Sequence, residues 1–278
     1  MMLPKDPKLG ILAGGGVLPR LLIKACQKAG RAVFVIAFQD QCDPATVQGV
    51  EHAWVRIGRA GKSIDLLRAN KAQQLVMAGY IKKPSLAQLM PDGKTLKVIA
   101  GGILNQGDDG LLSAIVQDLE TNEGFTFVGV HDVLPELLTP EGVLGKVHPN
   151  EADQACIQAA VTAALDLGAQ DVGQATVACE GRVVAQESRS GTDAMLKGLI
   201  DVPEAKGGVL AKMCKPGQEK RADLPTIGVV TIENAKLAGL SGVVVEAEGS
   251  LIIERAAVID AADQAGIFVM GVKPEVKS

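Results

Sequence analysis

Short apolar runs alternate with segments of helical period along the whole chain. Leu9–Ala13, Val33–Phe38 and Leu75–Ala78 have the length and β-branched content of buried strands. Between the first two, Leu18, Leu21, Leu22 and Ala25 recur at helical spacing, and the pattern stops at Gly30. Ser63 is expected to cap a helix that turns Ile64 and Leu67 inward. Asp108-Asp109 reads as a capping pair before the periodic Leu111, Leu112, Ile115 and Leu119, and Phe125–Val130 as a further strand.

Pro135–Asn150 is rich in proline and glycine and has the composition of a connection. Glu151–Leu167 then predicts a helix, and Ala175–Cys179 with Arg182–Glu187 a strand pair turned at Glu180-Gly181. Thr192 or Asp193 is expected to cap a helix, with Gly191 leaving room for a ligand against the backbone. Gly208–Ala211 and Ile227–Ile232 read as apolar strands, and Thr231–Leu240 as a helix capped by Thr231. Val243–Ala247 and Leu251–Glu254 suggest a second hairpin at Glu248-Gly249, before a helix at Ala256–Gln264 and a strand at Ile267–Gly271. This alternation predicts an α/β protein of two domains, 1–134 and 151–278, joined by 135–150.

Chemistry concentrates in a few polar stretches. Gly14-Gly15-Gly16, between a strand and a helix, is the common way to present backbone N–H groups to a phosphate. Pro19 replaces the third glycine of the dinucleotide fingerprint, which argues against nicotinamide binding. Gly61-Lys62-Ser63 mimics the end of a P-loop, but the glycine at Gly58 stands too close and no clean strand leads in. Gly79-Tyr80, with Lys82-Lys83-Pro84, would form a ligand rim at a strand's C-terminus. The polar loop Lys212–Gly228, KMCKPGQEKRADLPTIG, gathers Lys212, Lys215, Lys220 and Arg221 around Gln218, Glu219 and Asp223. Four cations suit a diphosphate, and Asp223 with Asp193 could serve Mg²⁺, which takes few carboxylates plus phosphate oxygens and water.

Composition narrows the choice further. Aromatic residues make up 3%, so the cores are aliphatic, and a net charge of −4 argues against a general nucleic-acid binder. Five cysteines without a CxxC pair point to reduced thiols and a cytoplasmic location. No run approaches the ~20 apolar residues of a membrane span. The three histidines show no metal-ligand spacing.

The strings LAGGGVLP, GDDGLL, DVGQATV, GTDAML, KRADLPTIG and AGIFVMG, in this order, closely resemble those of the UDP-2,3-diacylglucosamine pyrophosphatases of the LpxI type, enzymes of lipid A biosynthesis. The resemblance implies a Rossmann-like N-terminal domain and a C-terminal mixed α/β domain, with the substrate lying between them. It implies Mg²⁺-dependent hydrolysis to UMP and 2,3-diacylglucosamine 1-phosphate (lipid X), with water attacking the sugar-side phosphorus. Asp223 matches the family's key catalytic aspartate, with Asp193 and Lys212 expected beside it and both aspartates as metal ligands. Gly14, Gly15, Gly16, Gly79, Gln174, Gly191, Thr192, Lys215, Gln218 and Arg221 are the expected substrate contacts. Lys197 and Ser190 depart from the pattern, where the family more often has Arg and an acid. The expected partners are this substrate, the inner membrane surface in transient peripheral contact and, as an open alternative, a second copy in a homodimer, with no nucleic acid. A non-catalytic nucleotide or lipid carrier is the alternative reading.

Overall fold

The computed structural model describes residues 6–82, 91–100 and 107–274, without the side chains of 97–100 and 107–109. The chain divides into two units, Met1–Pro135 with Glu219–Asp223, and Glu136–Gln218 with Leu224–Ser278.

The first unit is built on a parallel five-stranded sheet. Its strands are β1 (Leu9–Ala13), β2 (Val33–Phe38), β3 (His52–Val55), β4 (Gln74–Ala78) and β5 (Thr126–Phe127), in the spatial order β3-β2-β1-β4-β5. β1 lies between β2 and β4 with all five residues buried, which explains its uninterrupted apolar run. Leu12, Phe34, Ile36, Leu67, Leu75 and Phe127 belong to one core cluster on this sheet. The chain steps outward from β1 to β3, then returns to place β4 on the other side of β1. The ends of β1 and β4 therefore form a topological switch point, where open α/β sheets bind ligands.

The second unit carries a six-stranded mixed sheet in the order β6-β13-β11-β9-β7-β8. Its members are β6 (Gly142–Leu144), β7 (Ala175–Cys179), β8 (Arg182–Gln186), β9 (Val209–Lys212), β11 (Gly242–Glu246) and β13 (Phe268–Val272). β9, β11 and β13 are parallel, whereas β6, β7 and β8 pair antiparallel with their neighbours. The helix Glu151–Ala169 starts at Asn150, whose side chain accepts from the Ala152 and Asp153 amides, and it buries Cys156, Ala160 and Ala164. β10 (Thr226–Ile227) and β12 (Leu251–Ile252) form a separate two-stranded parallel sheet. All five cysteines are free thiols.

Several local expectations are corrected. Ser63 does not cap its helix, which spans Ala60–Ala69 and places Ser63 inside the first turn, with its hydroxyl donating to the Arg59 carbonyl. Distant side chains serve that end instead: Asp92 Oδ2 accepts from the Gly61 amide at 2.9 Å, and Thr95 Oγ1 from the Ala60 amide at 3.2 Å. Asp108 and Asp109 lie within the helix Gly107–Thr121, and their side chains are outside the described residues, as are Lys83 and Pro84 of the expected rim. The Phe125–Val130 strand shortens to β5, because Asp132 accepts the Gly129 amide at 2.7 Å and starts a helical turn, Val130–Val133.

Ile227–Ile232 is likewise not one strand. β10 stops at Ile227, and a helix runs over Val229–Ala238 with Thr231 in its first turn, its hydroxyl accepting from the Gly228 amide at 3.3 Å. The Glu248-Gly249 segment does not join a hairpin, since β12 pairs with β10 and not with β11. Ser250 explains the diversion. Its hydroxyl donates to the Glu246 carbonyl at 2.6 Å and lies 2.8 Å from the Thr139 hydroxyl, and both residues are fully buried.

Candidate functional site

The glycine turn after β1 is shaped by contact with the segment after β4. The Gly14 amide donates to the Ala78 carbonyl and the Gly15 amide to the Tyr80 carbonyl, both at 2.8 Å, while the Tyr80 amide returns to Gly15 O at 3.1 Å. A Cβ on Gly79 would stand 2.2 Å from Gly15 O, and Gly79 has φ of +87°. Both constraints call for glycine. Tyr80 is 57% exposed, yet its ring lies where a Cβ on Gly15 would be 2.7 Å away. The Gln41 side chain and the Lys82 backbone exchange two hydrogen bonds, which ties the segment after β2 to the same edge. The sequence suggests three glycine amides facing a phosphate; the amides of Gly14 and Gly15 already have protein acceptors, and Gly16, with φ of +88°, follows them.

Residues 219–223 belong to this same unit, and Arg221 anchors them. Its Nη1 donates to Glu120 Oε1 at 2.8 Å and to the Phe127 carbonyl at 3.3 Å. Its Nη2 donates to Glu120 Oε2 at 3.2 Å and to Glu219 Oε2 at 2.8 Å, and its Nε to Glu219 Oε1 at 2.9 Å. The arginine holds both carboxyls below the usual glutamate range, and the two carboxylates hold the guanidinium protonated. Asp223 follows in a turn, its amide donating to the Glu219 carbonyl at 3.1 Å.

In the second unit the organising group is a buried carboxylate, Glu187. Its Oε1 accepts from the Thr192 hydroxyl at 2.6 Å and its Oε2 from the Gln174 amide at 2.8 Å. The helix it supports spans Thr192–Gly198, so Thr192 is its first residue, and Gly191 precedes it with φ of +85°. Neither Thr192 nor Asp193 is the cap that the sequence suggests. Asp193 Oδ1 accepts from Asn234 Nδ2 at 3.2 Å. The Gln174 side-chain oxygen is buried without a hydrogen-bond partner.

The lysines of the polar loop are engaged too. Lys212 Nζ donates to the Thr226 carbonyl at 3.1 Å, and Lys215 Nζ meets Asp171 at 2.9 Å. Gln218 is buried with its Oε1 accepting from the Lys215 amide at 3.1 Å. Among the described residues, no group of three or more His, Cys, Asp or Glu side chains is placed to hold a metal.

Two family models match the chain, the LpxI N-terminal domain over residues 8–137 and the LpxI C-terminal domain over residues 140–270. UDP-2,3-diacylglucosamine pyrophosphatase LpxI of Caulobacter vibrioides is 45% identical over 277 residues, covering 96% of this chain and 98% of its own. The chain belongs to the LpxI family.

Solved structures align only loosely. Glycinamide-RNase-transformylase T of Mycobacterium tuberculosis covers 66% of this chain and 44% of its own at 16% identity, with a TM-score of 0.24. N5-carboxyaminoimidazole synthetase of Staphylococcus aureus, complexed with ADP, gives 14% identity, 66% and 42% coverage and a TM-score of 0.24. Neither carries an argument.

Within the LpxI domains, sequence reasoning passed over Glu187, Glu120 and Asn234, the partners of Thr192, Arg221 and Asp193. An acid one residue beyond β8, just before the polar run Ser188–Gly191, is the one local signal for Glu187. Glu120 carries none, because Arg221 lies 101 residues away along the chain.

Proposed function

We propose that this LpxI chain hydrolyses the diphosphate of UDP-2,3-diacylglucosamine, releasing UMP and 2,3-diacylglucosamine 1-phosphate in lipid A biosynthesis. The observation that carries the reading is 45% identity, spread over nearly the full length of both chains, to a protein named for that activity. The parallel order β3-β2-β1-β4-β5 supports a Rossmann-like N-terminal domain, with the Gly14–Gly16 turn and Gly79 at its switch point.

Asp223 is the carboxylate assigned to the attacking water or to Mg²⁺, with Asp193 as the second proposed carboxylate and Lys212 as the proposed cation beside the reacting phosphate. Mg²⁺ relies on one or two carboxylates with substrate phosphates and waters and does not need a cage of protein ligands, so either aspartate alone has the chemistry to hold it. When bound, Mg²⁺ neutralises diphosphate charge and lowers the pKa of a coordinated water. Gln174 contributes a side-chain oxygen that has no protein partner, which suits an acceptor for a substrate donor. Thr192, Gly191, Lys215 and Gln218 remain proposed substrate contacts, and for the glycine turn the proposed contact centres on Gly16. Among the described residues no helix is long and apolar enough to cross a membrane. The acylated substrate itself accounts for the proposed transient contact with the inner membrane surface, reached from the cytoplasm.

Turnover in ¹⁸O-labelled water, with and without Mg²⁺, tests the reading. Label in lipid X supports attack on the sugar-side phosphorus. Label in UMP would retain the substrate and overturn the point of attack. Substrate binding with no product under any divalent metal would leave a carrier in place of an enzyme.

A further inference from the structure

The KRADLPTIG string places an arginine two residues before the proposed catalytic Asp223, and the natural expectation is that its charge meets phosphate. The structure gives that guanidinium other work. An arginine has five N–H donors. The bonds to Glu120, to Glu219 and to the Phe127 carbonyl occupy one Nε donor and two each on Nη1 and Nη2. The fork is saturated, and two carboxylates more than balance its single positive charge. Nothing is left on Arg221 in this arrangement to offer an anion.

Glu120 is fixed in turn. Its Oε1 also accepts the Phe127 amide at 3.0 Å, so β5 holds it through a backbone N–H while the Phe127 carbonyl holds Arg221. On the other side, Glu219 ties the guanidinium to its own turn, where its carbonyl accepts the amides of Ala222 at 2.9 Å and Asp223 at 3.1 Å. Ala222 packs against the apolar cluster that contains Phe125 and Phe127. An unbroken chain of hydrogen bonds thus runs from β5 through Glu120, Arg221 and Glu219 to the Asp223 backbone.

We infer that Glu120 is a positioning residue for the proposed hydrolysis, holding Arg221 in a two-carboxylate clamp that sets where Asp223 presents its carboxylate. The role rests on the functional reading above. It also reassigns Arg221 from a substrate ligand to the central link of the clamp. Glu120→Gln keeps the shape of the side chain but replaces one acceptor with a donor that faces a donor. Arg221→Lys keeps the charge and loses the planar fork.

The test is steady-state kinetics of the full chain with UDP-2,3-diacylglucosamine and Mg²⁺, together with tryptic cleavage after Arg221. Misplacing a reacting group by about 1 Å can cost on the order of 100-fold in rate. Accordingly, E120Q and R221K should each lower kcat by about 10- to 100-fold with KM unchanged. The double variant should be no worse than the poorer single one, because both break the same unit. E120Q should also speed cleavage at the Arg221–Ala222 bond several-fold under conditions in which the chain as a whole remains folded. Wild-type kcat in E120Q, or a rise in KM alone in R221K, would overturn the clamp, the latter in favour of a direct phosphate contact. Absence of turnover in the wild type would overturn the functional reading and this role together, which separates the two failures.

Discussion

Thr192 donates its hydroxyl to Glu187 across 2.6 Å, and each residue is only 8% exposed. The second Glu187 oxygen takes the Gln174 amide, so one carboxylate fixes both the start of the Thr192–Gly198 helix and the residue before β7. Glu187→Ala would leave two donors without an acceptor in a buried place, each costing about 1–3 kcal/mol. Glu187→Gln should cost less, because a hydroxyl can reverse its role and accept from the new NH₂ while the other oxygen still serves the Gln174 amide. Urea unfolding at neutral pH ranks the two. Equal stability of E187A and the wild type would show that the carboxylate does not organise this region.

Asp223→Asn preserves the volume of the side chain and removes its charge. Turnover should fall by at least about 100-fold, the scale of losing a positioned acid-base group. The Mg²⁺ concentration for half-maximal rate should rise at the same time. Near-normal turnover with unchanged metal dependence would remove Asp223 from the chemistry.

Gly79→Ala combines a backbone at φ of +87° with a Cβ placed 2.2 Å from Gly15 O. The backbone conformation alone should cost about 1–3 kcal/mol. Gly30 is a matched control, with φ of +69° and nothing within 4 Å of the added carbon. Thermal unfolding of the two alanine variants should show the larger loss at Gly79. Equal losses would mean that the close approach of the two segments adds nothing.

Glu120 and Glu219 have folded-state pKa values lowered by Arg221. The unfolded chain therefore takes up protons at higher pH than the folded one. The stabilisation from the pair is complete above the ordinary glutamate value, ~4.3, and drains away as the pH falls through the lower folded-state values. In E120Q the Glu120 contribution is absent at every pH. The difference in urea midpoint between wild type and E120Q should be flat above about pH 5 and shrink below it. A difference that grows on acidification would contradict the sign.

Much of the fold was legible because burial on both faces leaves a strand no choice but a continuous apolar run. Leu9–Ala13, Val33–Phe38 and Ala175–Cys179 begin and end where the pattern predicts. β12 shows the limit of that logic. Its apolar pair signals a strand, but the choice between β11 and β10 as partner rests on the buried Ser250 hydroxyl and its bonds to Glu246 and Thr139, the latter 111 residues away. Helix starts were harder for a related reason. Ser63 has the chemistry of a cap, yet Asp92 and Thr95 already satisfy that helix end, and neither is near it in sequence.

By itself, the sequence determined the α/β alternation and, through strings such as GTDAML and KRADLPTIG, the resemblance to the LpxI family. Both are properties of residue order: periodicity records which face is buried, and a motif records which residue types stand at fixed spacing. Only the tertiary structure decided what each polar group is bonded to. It satisfied the amides of Gly14 and Gly15, seated Thr192 on Glu187, and filled the Arg221 fork with Glu120 and Glu219. A hydrogen bond needs two groups within about 3 Å in space and imposes no period on the sequence between them. For that reason a cation in a motif can read as a phosphate ligand and be found as the anchor of the loop that carries it.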